Sequence, residues 1–129
     1  MSSDKIVERV AGKVMASGKT VREFMTFDDK AFLWELLSSL RTALRGTRFP
    51  GGGILIRGGD RYYVVSLRTP ILESENVVMS YKFELLNASD GDFLGEDSDT
   101  LWIPVTFSTE QIVGVIVRKF YEQKKRWLR

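Results

Sequence analysis

The sequence predicts an α+β fold of two N-terminal helices, a four-stranded antiparallel sheet and a C-terminal helix. Three observations carry that prediction. Apolar residues recur at helical spacing before Gly46 and again after Ser108. Between those points they alternate with the period of two that belongs to a strand. No helix-length segment separates consecutive strands, so they should pair antiparallel. A chain of 129 residues, 43% of them hydrophobic, supports one core, so residues 1–129 are expected to form a single domain.

The first element, Ser3 to Ser17, sets Ile6, Val7, Val10 and Val14 at helical spacing and stops at Gly18, although Gly12 weakens it. A stronger helix follows "TFDD", where Thr26 and Asp29 have capping-box spacing. It turns Phe32, Leu33, Leu36, Leu37, Leu40 and Leu44 to one side and should end at Gly46. Next come two short runs, Ile54 to Arg57 and Arg61 to Arg68, joined by "GGD", a combination that reads as a tight hairpin. Asn76 to Leu86 alternates cleanly, as does "LWIPVTF" from Leu101, whose Pro104 lacks an amide donor and argues for an edge strand. The acid-rich "NASDGDFLGEDSD" between them is expected to be a solvated loop. Its Asp90, Asp92 and Gly95 match positions 1, 3 and 6 of a calcium loop, but Leu94 and Leu101 stand where oxygen ligands belong. The last helix begins at Ser108, with Gln111 completing a capping box, and occupies residues 108–129.

Composition removes many chemistries. The chain has no cysteine and no histidine, which excludes a disulfide framework, thiolate zinc sites and the commonest general base. Carboxylates alone can run metal-dependent catalysis, yet Glu84 beside Lys82 is the one suggestive pair, and no second strand-borne acid joins it. No catalytic residues, metal site or cofactor are therefore expected. The glycines around the hairpin do not form a phosphate loop, because after Gly53 and Gly58 come Gly59 and Asp60 rather than lysine and a hydroxyl residue. No run is long and apolar enough for a membrane span, and no signal core opens the chain, so a cytoplasmic protein without a membrane partner is expected. The scarcity of amides, two Asn and two Gln, hints at a thermophile.

Net charge is only +2, but it is distributed in blocks. Arg41 to Arg68 holds six arginines against Asp60; Glu84 to Glu110 holds seven acids and no base; Arg118 to Arg129 holds six bases against Glu122. Such segregation suggests a polyanion-binding surface. Hairpin parity sharpens this, since Ile54, Ile56, Tyr63, Val65 and Leu67 should face the core. Leu55, Arg57, Tyr62, Val64, Ser66 and Arg68 then share the opposite face with Val78, Ser80, Lys82 and Trp102. Aromatic rings stack on unpaired bases while Arg and Lys meet phosphates, which suits a single strand better than a duplex. The candidate binding residues are Leu55, Arg57, Tyr62, Arg68, Lys82 and Trp102, flanked by Arg41, Arg45 and Arg48. The alternatives are that a helix covers this face, or that it is a protein interface in a scaffold or complex subunit.

The order of elements around "GGGILIRGGDRYYVVSL", together with this surface chemistry, resembles the archaeal ThermoDBP family and its related proteins. The resemblance implies single-stranded DNA binding with some tolerance for RNA, an aromatic and apolar cleft flanked by bases, and assembly from several subunits. No long C-terminal leucine zipper is present, so a related branch with another mode of assembly is expected. The apolar stripe of the last helix, widened by Ile112, Ile116, Trp127 and Leu128, points to a homo-oligomer, a dimer or tetramer.

Overall fold

The computed structural model describes residues 20–23, 29–49 and 52–128. The helix expected over Ser3–Ser17 and the Thr26 end of the expected capping box lie outside those residues. What is described is an α+β fold: two helices stand on one side of a largely antiparallel sheet, and its strands are joined by short turns.

Helix α1 (Asp29–Leu44) buries Phe32, Leu36, Leu37, Leu40 and Leu44, the stripe expected from the sequence. Its end differs from expectation in one respect. The Gly46 amide donates to the Arg41 carbonyl at 3.0 Å and the Arg45 amide to the Thr42 carbonyl at 3.3 Å, the two bonds of a Schellman motif. The left-handed residue of that motif is Arg45, with φ 55°, rather than a glycine. Gly46 is needed for space instead: a Cβ there would lie 2.4 Å from Ile54 Cγ2 and 2.8 Å from the Leu55 carbonyl oxygen.

The sheet has six strands where four were expected: β1 (Thr47–Phe49), β2 (Gly53–Gly58), β3 (Arg61–Leu67), β4 (Ile71–Glu73), β5 (Asn76–Asn87) and β6 (Phe93–Pro104). Strands β1 and β4 are three residues long, too short to display alternation in sequence. The β2–β3 turn is Gly59-Asp60, because Gly58 pairs with Arg61, and Gly59 supplies the positive φ of 67° that this turn requires at its first position. Strands β3 and β4 both pair with β5, and β6 pairs with β5 from Asn76 to Leu86. Between β3 and β4, Pro70 has no amide to offer the ladder, and Arg68 keeps one bond, from its amide to the Ser80 carbonyl at 3.0 Å.

Most of the stretch expected as an acidic loop is strand. Only Ala88–Asp92 turns between β5 and β6, and Glu96, Asp97 and Asp99 lie in β6. The hairpin with β5 overrides the low strand propensity of Gly, Asp and Glu. Pro104 sits at the end of β6, opposite Asn76.

Helix α2 (Thr109–Trp127) opens with the expected capping box: the Gln111 amide donates to Ser108 Oγ at 3.3 Å, and the Ser108 amide donates to Gln111 Oε1 at 2.6 Å. It buries Ile112, Val113, Ile116 and Phe120 against the sheet and α1. The Phe120 ring meets Tyr63 at 5.6 Å and Phe83 at 5.5 Å, both edge-on, the favoured arrangement for aromatic pairs. Trp127 stacks on Tyr63 at 6.1 Å, and Arg61 Nη1 donates to the Trp127 carbonyl at 3.0 Å, a cation at the negative end of the helix. Ile112 and Ile116 are fully buried and Trp127 packs against the core, so the apolar width of this helix that suggested an oligomer is satisfied largely within one chain. Tyr121 and Leu128 remain exposed.

Residues 20–23 dock beside this helix. Thr20 bridges Ser108, the Val21 amide donates to the Phe107 carbonyl at 2.8 Å, and the Val21 side chain is fully buried.

Candidate functional site

The cross-strand register sorts the sheet residues onto two faces. Ile54, Ile56, Tyr63, Val65, Phe83 and Leu85 lie on the face that carries α1 and α2. The opposite face is built in rows. Arg57, Tyr62 and Leu86 form one; Leu55, Val64, Glu84 and Glu96 the next; Ser66, Lys82 and Ser98 another; Ser80 and Thr100 follow; Ile71, Val78 and Trp102 close the far end. Among the described residues no helix stands on this face.

The register thus brings Leu55, Arg57, Tyr62, Lys82 and Trp102 to one surface, as parity requires, and Arg68 borders it beside Ser80. It does not bring the two rings together. Tyr62 lies opposite Leu86 and Trp102 opposite Val78, eight residues apart on β5, a separation of about 26 Å at 3.3 Å per residue. The rings mark two ends of a strip rather than one stacking platform. Their settings differ as well. Trp102 is 60% exposed. Tyr62 is half-buried and has the Arg57 guanidinium 5.5 Å from its ring centroid, so cation and ring act as one unit.

Arg41, Arg45 and Arg48 are not brought to this surface. Arg41 lies in the last turn of α1, Arg45 just beyond it, and Arg48 pairs with Ile54, whose side chain faces the helices. All three are exposed. The C-terminal bases Arg118, Lys124 and Lys125 sit on α2, on the other side of the sheet. The basic blocks of the sequence are therefore divided between two sides of the molecule.

Charge on the open face is mixed. Lys82 Nζ lies 3.5 Å from Glu84 Oε1, and Glu84 stands directly opposite Glu96 on β6, a like-charge pair at the middle of the strip. Contrary to expectation, a second strand-borne acid does join Glu84, because the acid-rich stretch pairs with β5 as a strand. Arg68 has no ion pair among the described residues. Between Arg68 and Lys82 the face opens into a hollow of about 600 Å³, bordered by Ser66, Ser80, Ser98 and Thr100. Ser80 and Thr100 share a hydrogen bond of 3.0 Å. Ser98 and Thr100 escape a sequence reading because the first sits in the acid-rich stretch and the second directly follows it. The one signal for them is the length of β5, whose twelve alternating residues require an equally long partner.

Beneath this face, on the helix side, burial pushes the Tyr81 hydroxyl up to about 12, with Asp97 and Asp99 adding to the shift and Arg126 opposing it. In the β5–β6 turn, Asp90 Oδ1 accepts from the Asp92 amide at 2.9 Å, so this carboxylate shapes the turn, and no cluster of metal-ligating side chains occurs among the described residues. No helix among them is long and apolar enough to cross a membrane.

No family model matches the chain, and no curated protein or solved structure is significantly similar to it.

Proposed function

We propose that the protein is a non-catalytic, sequence-tolerant binder of single-stranded nucleic acid, DNA in the first place and RNA in the second. One observation supports this reading most: a sheet face without a covering helix among the described residues carries a ring toward either end and the cations Arg68 and Lys82 between them. Bases stack on Trp102 and on the Arg57–Tyr62 unit, each such contact contributing about 1–3 kcal/mol. Phosphates meet Arg68 and Lys82. This is the activity implied by the resemblance to ThermoDBP-related proteins.

The distance between the rings sets a length. A strip of about 26 Å spans roughly eight nucleotides at the 3.4 Å rise of a stacked strand and fewer when the strand is extended. Affinity should rise with oligonucleotide length up to about that number and then level off.

A second reading is favoured by the apolar ends of the same face, where Ile71, Trp102 and Phe93 are well exposed. Such residues also suit a protein interface. Fluorescence anisotropy with labelled single-stranded DNA, single-stranded RNA and duplex DNA at two salt concentrations separates the readings. Binding to single strands that weakens with salt, and weakens on Trp102→Ala, supports the proposal. Absence of binding to any single strand at low salt overturns it in favour of the interface.

A further inference from the structure

We propose that the hollow between β3, β5 and β6 is a phosphoryl-binding site. Its border gathers two cations, Arg68 and Lys82, and four hydroxyl side chains, Ser66, Ser80, Ser98 and Thr100, onto one side of the sheet. All six can donate hydrogen bonds, and Arg68 offers a planar fork of donors with no ion-pair partner among the described residues. A phosphoryl group, with several acceptor oxygens and negative charge, is the ligand that such a donor set complements. One carboxylate, Asp99, borders the hollow, but its Oδ1 already accepts from the Thr100 amide at 2.8 Å. Glu84 holds Lys82 at 3.5 Å from the neighbouring row, leaving Arg68 as the main anchor and Lys82 as a cation shared between Glu84 and the ligand. The volume of about 600 Å³ exceeds what one phosphate fills and lies within the range of sites that enclose small molecules, so there is room for the nucleoside attached to it.

The ladder between β3 and β5 lapses at Thr69-Pro70 before resuming with β4, and on the border of the hollow Gly52 brings no side chain into it. The assignment rests on the nucleic-acid reading only for the source of the phosphoryl group: an internal phosphodiester, a terminal phosphate of a strand, or a free phosphate compound.

The test is an amide NMR titration of the whole chain with inorganic phosphate, then with the same oligonucleotide carrying either a 5′-phosphate or a 5′-hydroxyl. Phosphate should shift the amides of Ser66, Arg68, Ser80, Lys82, Ser98 and Thr100 together. Arg68→Gln should abolish that response, and Lys124→Gln, on the far side of the molecule, should leave it intact. Because Arg68 is exposed, its variant should keep the wild-type spectrum elsewhere. A 5′-phosphate that tightens binding at least fivefold, with the gain lost in Arg68→Gln, identifies a terminal phosphate. Equal binding of both oligonucleotides, weakened alike by Arg68→Gln, identifies an internal one. Phosphate shifts without oligonucleotide binding would keep the hollow and refute the nucleic-acid reading. Oligonucleotide binding unaffected by Arg68→Gln, with no phosphate shifts in the hollow, would overturn the phosphoryl site and leave that reading standing.

Discussion

The junction of α1 with β1 yields a prediction in which two adjacent residues respond with opposite signs. Gly46→Ala would place a Cβ 2.4 Å from Ile54 Cγ2 and 2.8 Å from the Leu55 carbonyl oxygen. The first neighbour is a fully buried core side chain and the second is backbone of the paired strand β2, so neither can withdraw cheaply. Overpacking of this kind costs about 1–3 kcal/mol. For a domain of this size, about 2 kcal/mol lowers Tm by roughly 6–10 °C. Arg45→Gly should do the reverse. A side chain in the left-handed region costs about 1–2 kcal/mol, and the added freedom of glycine in the unfolded chain returns about half of that, leaving a gain of about 0.5–1 kcal/mol. Thermal unfolding followed by circular dichroism reads both. A Gly46→Ala protein as stable as wild type, or an Arg45→Gly protein less stable, would show that the helix stops in another way.

Other expectations follow from the core, from the titrating tyrosine and from the acid pair. Phe120→Ala removes a ring packed edge-on against Tyr63 and Phe83 and should cost about 3–5 kcal/mol, whereas Trp102→Ala, on the open face, should change stability by no more than about 0.5 kcal/mol in the same denaturation experiment. Tyr81 loses its proton at about 12 in the folded protein against 10.0 for the unperturbed group. The unfolded chain therefore releases that proton first, and stability from this residue, complete below pH 10, is lost as pH rises toward 12. Tyr81→Phe should remove that part of the alkaline decline, and the wild-type-minus-variant absorbance of tyrosinate should titrate near 12. Glu96→Gln relieves the like-charge pair with Glu84 and should tighten single-strand binding about two- to fivefold at low salt; weaker binding would mean that the strand does not cross the centre of the face.

Much of this molecule was legible because its signals are local and periodic. The heptad-like stripe of α1, the capping box at Ser108 and Gln111, and the alternation of β5 each specify one element through nearby residues. Parity then assigned Leu55, Arg57, Tyr62, Lys82 and Trp102 to one face without knowledge of the turn geometry. What failed depended on distant partners. The segment from Phe93 to Asp99 is poor in strand-forming residues and becomes a strand because β5 offers it a full-length edge. Parity says which face a residue takes and nothing of where along that face it lies, so the distance between Tyr62 and Trp102 could not be read. Nor could the helix side of the sheet claimed by Arg48, since β1 is too short to show its own phase. At Gly46 the sequence pointed to the right place for the wrong reason: the glycine is required by the strand packed against it and not by its own backbone angle.

In the proposed function a single strand lies on the open face of the sheet. An amide NMR titration with a single-stranded DNA of about eight nucleotides tests it most directly. Shifts should concentrate at Arg57, Tyr62, Ser66, Arg68, Ser80, Lys82, Thr100 and Trp102, with α2 unaffected. Shifts confined to Arg118, Lys124, Lys125 and their neighbours on α2, with the open face silent, would contradict it and place the nucleic acid on the opposite side of the molecule.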